Sequence, residues 1–149
     1  MNDKFNCLKA NQPAQGGIDK KIEDVEEIEE GSGKEYIFLI DRSYSMHDTI
    51  GLAREALILF LLSLPAGCKF NICSYGSKFE FLFKDQRSVD YDDDSCQSAI
   101  ALVRDFDANF GGTDIYNPLK QIFDMQTDCT ETNIFLLTDG AVYNTNSIV

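Results

Sequence analysis

The sequence predicts an α/β domain built on a doubly wound, mostly parallel sheet. Two short, nearly uninterrupted apolar runs, Tyr36-Ile-Phe-Leu-Ile40 and Asn133-Ile-Phe-Leu-Leu137, have the texture of strands covered on both faces. Between them lie segments whose apolar residues recur at helical spacing. Polar loops follow both runs directly, at the strand ends where open α/β sheets hold their ligands.

The elements follow in order. Residues 1–34 read as an acidic, flexible tail or linker: Glu23–Glu30 carries six acids in eight positions, and Gly31-Ser-Gly33 breaks the chain. Ile18, Ile22, Val25 and Ile28 offer one thin stripe for a short helix within it. The Tyr36–Ile40 strand opens the domain, 35–149. A helix through Ile50, Ala53, Leu57, Phe60, Leu61 and Leu64 is apolar on its flanks too, so it should be largely enclosed, and Pro65 and Gly67 stop it.

Lys69–Tyr75 is the second strand, Gly76-Ser77 a tight turn, and Phe79–Phe83 its antiparallel partner. The acidic loop Asp90–Asp94 leads to a helix carrying Ala99, Ile100, Val103 and Phe106. A further helix carries Ile115, Leu119, Ile122 and Phe123, and Asn133–Leu137 is the last strand. Right-handed crossovers join such elements. The chain ends soon after that strand, which predicts a domain truncated there, with an uncovered apolar edge prone to association.

Charge removes several functions. Lys and Arg number 13 against 25 Asp and Glu, a net charge of −12, so the basic footprint of a nucleic-acid reader is missing. The longest apolar stretch, Ala56–Leu64, is far too short to span a bilayer, and no apolar segment of a signal peptide follows Met1–Lys9. Five cysteines, an odd set without a CxxC pair, fit free thiols in a reducing cytoplasm.

Three loops carry chemistry. Asp41-Arg-Ser-Tyr-Ser45 places hard oxygen donors at i, i+2 and i+4, a spacing that lets one loop wrap a small cation. Gly111-Gly-Thr-Asp114 adds the hydroxyl of Thr113, and Thr138-Asp-Gly140 adds the carboxylate of Asp139. Two carboxylates with three hydroxyls leave room for water, a set that suits Mg²⁺ or Mn²⁺. The other chemistries have less behind them. His47 lies beside Ser45, but no G-x-S-x-G elbow is present; Gly111-Gly112 lacks the Lys of a phosphate loop; Asp41-Arg-Ser43 lacks the second Asp of a phosphoaspartate phosphatase. As plain strand-end residues, Asp41 and Asp139 would leave Ser43 and Ser45 as helix caps.

Taken together, Asp41-x-Ser43-x-Ser45, the Thr113 loop and Asp139-Gly140 resemble the three-part metal-ion-dependent adhesion site (MIDAS) of the von Willebrand factor type A (VWA) domain. Pro65-Ala-Gly-Cys-Lys-Phe-Asn71 further resembles the inter-alpha-trypsin inhibitor heavy-chain group and its intracellular relatives. The resemblance implies a Rossmann-like fold in which the third, second, first and last strands lie in that order. It implies Ser43, Ser45 and Thr113 as direct ligands, with Asp41 and Asp139 acting directly or through water. Tyr44 stands where many members have Gly, although integrin β-subunits resemble this sequence in having Tyr there. The expected function is divalent-cation-dependent protein binding without catalysis, in which a protein partner donates an acidic side chain to the metal. The alternatives are a structural interaction domain whose metal site is empty or merely stabilising, and a metal-assisted hydrolase, for which the three loops supply no spare His or Glu as general base.

Overall fold

The structure, a computed structural model, describes residues 27–139. Five strands, β1 (Lys34–Asp41), β2 (Lys69–Tyr75), β3 (Phe79–Phe81), β4 (Val89–Asp90) and β5 (Glu131–Leu137), form one sheet in the order β3-β2-β1-β5. β1 pairs in parallel with β2 and β5, while β3 and β4 run antiparallel to β2. This is the mixed, mostly parallel sheet that the sequence predicts, with the strand order that the resemblance implies; Val89–Asp90 is an addition, a two-residue strand where the acidic loop begins.

Alternation along β1 divides the core. Phe38 and Ile40 face α1 (Ile50–Ser63) and α2 (Asp93–Val103), packing with Leu57, Leu61, Phe70, Ile72, Ile100 and Val103. Ile37 and Leu39 point the other way and meet Cys73, Tyr75, Ile115 and Ile122 beside α3 (Tyr116–Asp124). Helices on both faces bury β1 and β2 apart from Lys34, Tyr36 and Lys69, which are partly exposed.

One burial expectation needs correction. α1 is not enclosed: only Ile50, Leu57 and Leu61 are buried, whereas Leu52 is 70% exposed and Leu59 66%. It lies on one face of the sheet, and no described residue covers its outer side. β5 has the open apolar edge expected of it: Phe135 is 36% exposed and Leu136 47%. Phe135 stacks on Tyr36 and Phe38 and meets Phe60, but the strand pairs only with β1 among the described residues. An apolar run reports what a strand can bury, not whether a neighbour is there to bury it.

Most of the stripe proposed for the tail, Ile18 to Val25, lies outside the described residues. Ile28 is exposed and not helical. The turn that follows is tied to the domain: Gly31 N–H donates to Ala66 O at 2.8 Å, and a Cβ there would stand 2.6 Å from both Ala66 O and Cys68 N. Only glycine fits so close an approach.

Polar groups pin the rest. Glu35 is fully buried at the start of β1, 2.8 Å from Arg87 Nε, and accepts hydroxyl bonds from Ser88 and Thr132. Arg87 also donates to Ile122 O and Met125 O, the open carbonyls at the end of α3. Cys68, Cys73 and Cys96 are buried free thiols, and burial pushes Cys68 and Cys73 up to about 12. The start of α2 is a capping box, with Asp92 Oδ1 accepting from Ser95 N–H at 2.8 Å and Ser95 Oγ accepting from Asp92 N–H at 3.0 Å. Asp92→Ala should therefore lower stability by about 1 kcal/mol in urea unfolding. An unchanged midpoint would show the cap to be idle.

Candidate metal centre

The register of the sheet assembles the site. Asp41 ends β1 opposite Tyr75, and Ile40 pairs with Leu137, so Thr138 emerges beside Asp41. Asp41 is fully buried and holds three donors: Ser43 N–H (2.9 Å) and Ser43 Oγ (2.6 Å) on Oδ1, and Thr138 Oγ1 (2.7 Å) on Oδ2. Ser43 Oγ lies 3.0 Å from Ser45 Oγ, and Ser45 is exposed. A short 3-10 turn, Tyr44–Met46, follows. Ser43 stands at its N-cap but makes no side-chain capping bond, because its hydroxyl is turned to Asp41.

Backbone bonds bring in the second loop. Tyr44 N–H donates to Gly111 O (2.7 Å) and Phe110 N–H to Arg42 O (2.9 Å). Gly76 makes room for this crossing, since a Cβ on it would lie 2.5 Å from Phe110 Cβ. The two polar side chains at the end of this loop divide the work. Asp114 Oδ1 accepts from Tyr116 N–H and Asn117 N–H and so caps α3. Thr113 is buried, yet its Oγ1 has no hydrogen-bonding partner among the described residues.

Asp139 lies exposed one residue beyond Thr138. Burial raises the Tyr75 phenol above its ordinary value, and the charges of Asp41 and then Asp139 add to that rise. Both carboxylates thus act on one buried ring under the end of the sheet. Of the residues the sequence singles out, Asp41, Ser43 and Ser45 are in direct contact, Thr113 joins through its loop, and Asp139 follows the strand that supplies Thr138. His47 is turned to Asp48, 3.1 Å away, and stacks beside Tyr44.

An orphaned buried hydroxyl costs about 1–3 kcal/mol, so Thr113 Oγ1 asks for an electrophilic partner. A hard cation supplies one, and the donor set of hydroxyls with few carboxylates fits Mg²⁺. Among the described residues no group of three or more His, Cys, Asp or Glu side chains is gathered as for a metal.

Two contributors escape a reading of the sequence. Thr138 stands within a quoted motif, but its bond to Asp41 depends on the β1–β5 register. Arg42, nearly buried, lies 4.4 Å from the centre of the Phe106 ring and 4.2 Å from that of Phe110. Its guanidinium donates to Asp107 O, Asn109 Oδ1 and Ser74 Oγ. Burial lowers its pKa, against the opposing charges of Glu80 and Asp107. Only the aromatic residues at 106 and 110 hint at this in the sequence.

Sheet and loops define an α/β domain that gathers hydroxyls and carboxylates at the carboxyl end of its central strand. The chain belongs to the von Willebrand factor type A domain family, whose profile matches residues 34–149. It is 37% identical over 126 residues to von Willebrand factor A domain-containing protein 5A of Rattus norvegicus, covering 77% of this chain and 15% of that protein. The Homo sapiens protein of the same name is 40% identical over 126 residues, covering 77% and 16%. A von Willebrand factor A domain-containing protein of Dictyostelium discoideum is 42% identical over 117 residues, covering 77% and 13%. The chain thus spans less than a fifth of the length of these curated relatives. Among solved structures, a von Willebrand factor type A protein from Catenulispora acidiphila superposes with a TM-score of 0.60 at 24% identity, covering 67% of this chain and 25% of that one. That likeness concerns the fold. No described helix is long and apolar enough to cross a membrane.

Proposed function

We propose that this domain is a cation-dependent protein-binding module of the adhesion type. Asp41, Ser43, Ser45, Thr113 and Asp139 would hold Mg²⁺ or Mn²⁺, and the partner would donate an acidic side chain. The observation that carries this reading is the buried, unpartnered hydroxyl of Thr113 on a loop bonded to the Asp41–Ser45 turn. The chain's own part is preorganisation. With Ser43 Oγ–H committed to Asp41, the oxygen's remaining lone-pair capacity is left to accept a cation. Asp41, already engaged by its three donors, suits a role through water. A bound cation would supply electrophilic attraction for a carboxylate, which a chain of net charge −12 otherwise repels.

The same proposal extends to organisation and setting: a domain over 35–149 behind an acidic tail, in a reducing compartment, nearest the inter-alpha-trypsin inhibitor heavy-chain group. Buried free thiols and the Pro65–Asn71 segment support the last two points.

Calorimetry with Mn²⁺ tests the site. Asp41→Ala should abolish the heat seen with the parent chain. Thr113→Val should weaken binding while leaving stability equal or slightly higher, because it removes an unsatisfied group in the same shape. If both variants titrate like the parent, the assignment is wrong. Partner binding that survives a chelator would favour the purely structural module.

A further inference from the structure

Buried arginines usually meet a carboxylate, and Arg87 does so at Glu35. Arg42 does not. Its direct acceptors are a carbonyl, an amide oxygen and a hydroxyl, and its two faces are taken by the Phe106 and Phe110 rings. A planar fork with five donors can grip both sides of a loop crossing at once, which an ammonium cannot. What it grips is specific. Ser74 lies at the end of β2, whereas Phe106, Asp107, Asn109 and Phe110 form the segment leading into Gly111–Thr113. The main chain of Arg42 is bonded on both sides too, its N–H to Tyr75 O (2.8 Å) and its carbonyl to Phe110 N–H (2.9 Å).

We infer that Arg42 is a positioning residue, a latch that locks the Thr113 loop to the Asp41–Ser45 turn so that hydroxyls from two separate loops present one site. The inference rests on the metal reading above for its functional meaning, while the latch itself is a property of the metal-free protein. Remote supports of metal ligands are worth about 10–100-fold in affinity. Substituting Arg42 should therefore weaken cation binding without touching any ligand.

Two measurements on the full chain separate the possibilities. In the first, amide hydrogen exchange is followed without metal for the parent and Arg42→Met. The bonded amides of Tyr44, Phe110 and Gly112 should exchange about tenfold faster in the variant, while those of Phe38 and Ile72 in the sheet keep their protection. In the second, Mn²⁺ titration should show affinity reduced about 10–100-fold in Arg42→Met. It should fall less, in the same direction, in Asn109→Ala, an exposed site that loses one bond to the fork. Asp92→Ala, which weakens the fold at a distant cap, should bind as the parent does.

Loop amides that exchange as in the parent overturn the latch, and so does unchanged affinity in Arg42→Met. Equal losses in Asp92→Ala would show a general loss of stability and overturn it as well. If Arg42→Met does not fold, Asn109→Ala decides by the same two readouts. If the parent binds no Mn²⁺ while the loop amides respond, the metal reading fails and the coupling of the loops stands.

Discussion

Glu35→Ala is expected to destabilise the domain by about 3–5 kcal/mol, the usual cost of stranding one member of a buried ion pair. The carboxylate is fully buried, and its removal would leave the Arg87 guanidinium, only 12% exposed, without its counter-charge. Arg87 also closes the end of α3 through Ile122 O and Met125 O, so the damage would spread from β1 to that helix. A pH dependence follows. Burial alone would raise the Glu35 carboxyl, but the bonds from Ser88, Arg87 and Thr132 and the charge of Arg87 outweigh it and hold the pKa below the ordinary 4.5. With the folded value lowered, the stabilisation is complete above the unfolded value and fades as pH falls through the folded one. Urea unfolding of the parent chain and Glu35→Gln should show a gap at neutral pH that narrows below about pH 4. A gap independent of pH would mean that the carboxylate's charge plays no part.

Asn71→Leu is the second large effect, with an expected loss of roughly 3 kcal/mol from several orphaned backbone groups at about 1–3 kcal/mol each. The buried Asn71 amide donates toward Phe83 O, Gln86 O and Arg87 O, and its oxygen accepts from Phe83 N–H and Ile72 N–H. One side chain thus shapes the turn that delivers Arg87 to Glu35. Because the two substitutions act on the same arginine, the double variant should lose less than the sum of the singles, with a coupling of about 0.5–3 kcal/mol. Strict additivity would show that the 83–87 turn holds its shape without Asn71.

The sheet was legible because its signals are local. The runs at Tyr36–Ile40, Lys69–Tyr75 and Asn133–Leu137 mark strands, and helical spacing marks the elements between them, whatever the rest of the chain does. The candidate site was partly legible for a similar reason: Asp41, Ser43 and Ser45 lie within five residues. Glu35, Asn71, Arg87 and Arg42 were not legible. Their partners lie up to 97 residues away, at Thr132 for Glu35, and nothing in the local pattern distinguishes Arg42 from a solvated arginine. The exposed side of α1 was misread because hydrophobicity states a demand for burial. Whether the demand is met depends on which neighbours are present.

The buried thiols give this molecule a chemical record of its own opening. The thiolate is the form that attacks an alkylating reagent, and a group held near 12 supplies roughly one in a hundred thousand of it at pH 7. Cys73 lies within β2 on the face toward α3, Cys96 within α2, and Cys68 in the turn that enters β2. A reagent pulse during mild denaturation would therefore write the order of events into the chain, with Cys96 tagged when α2 lifts away and Cys73 when α3 leaves its face of the sheet. Each labelled position timestamps a different seam of the fold.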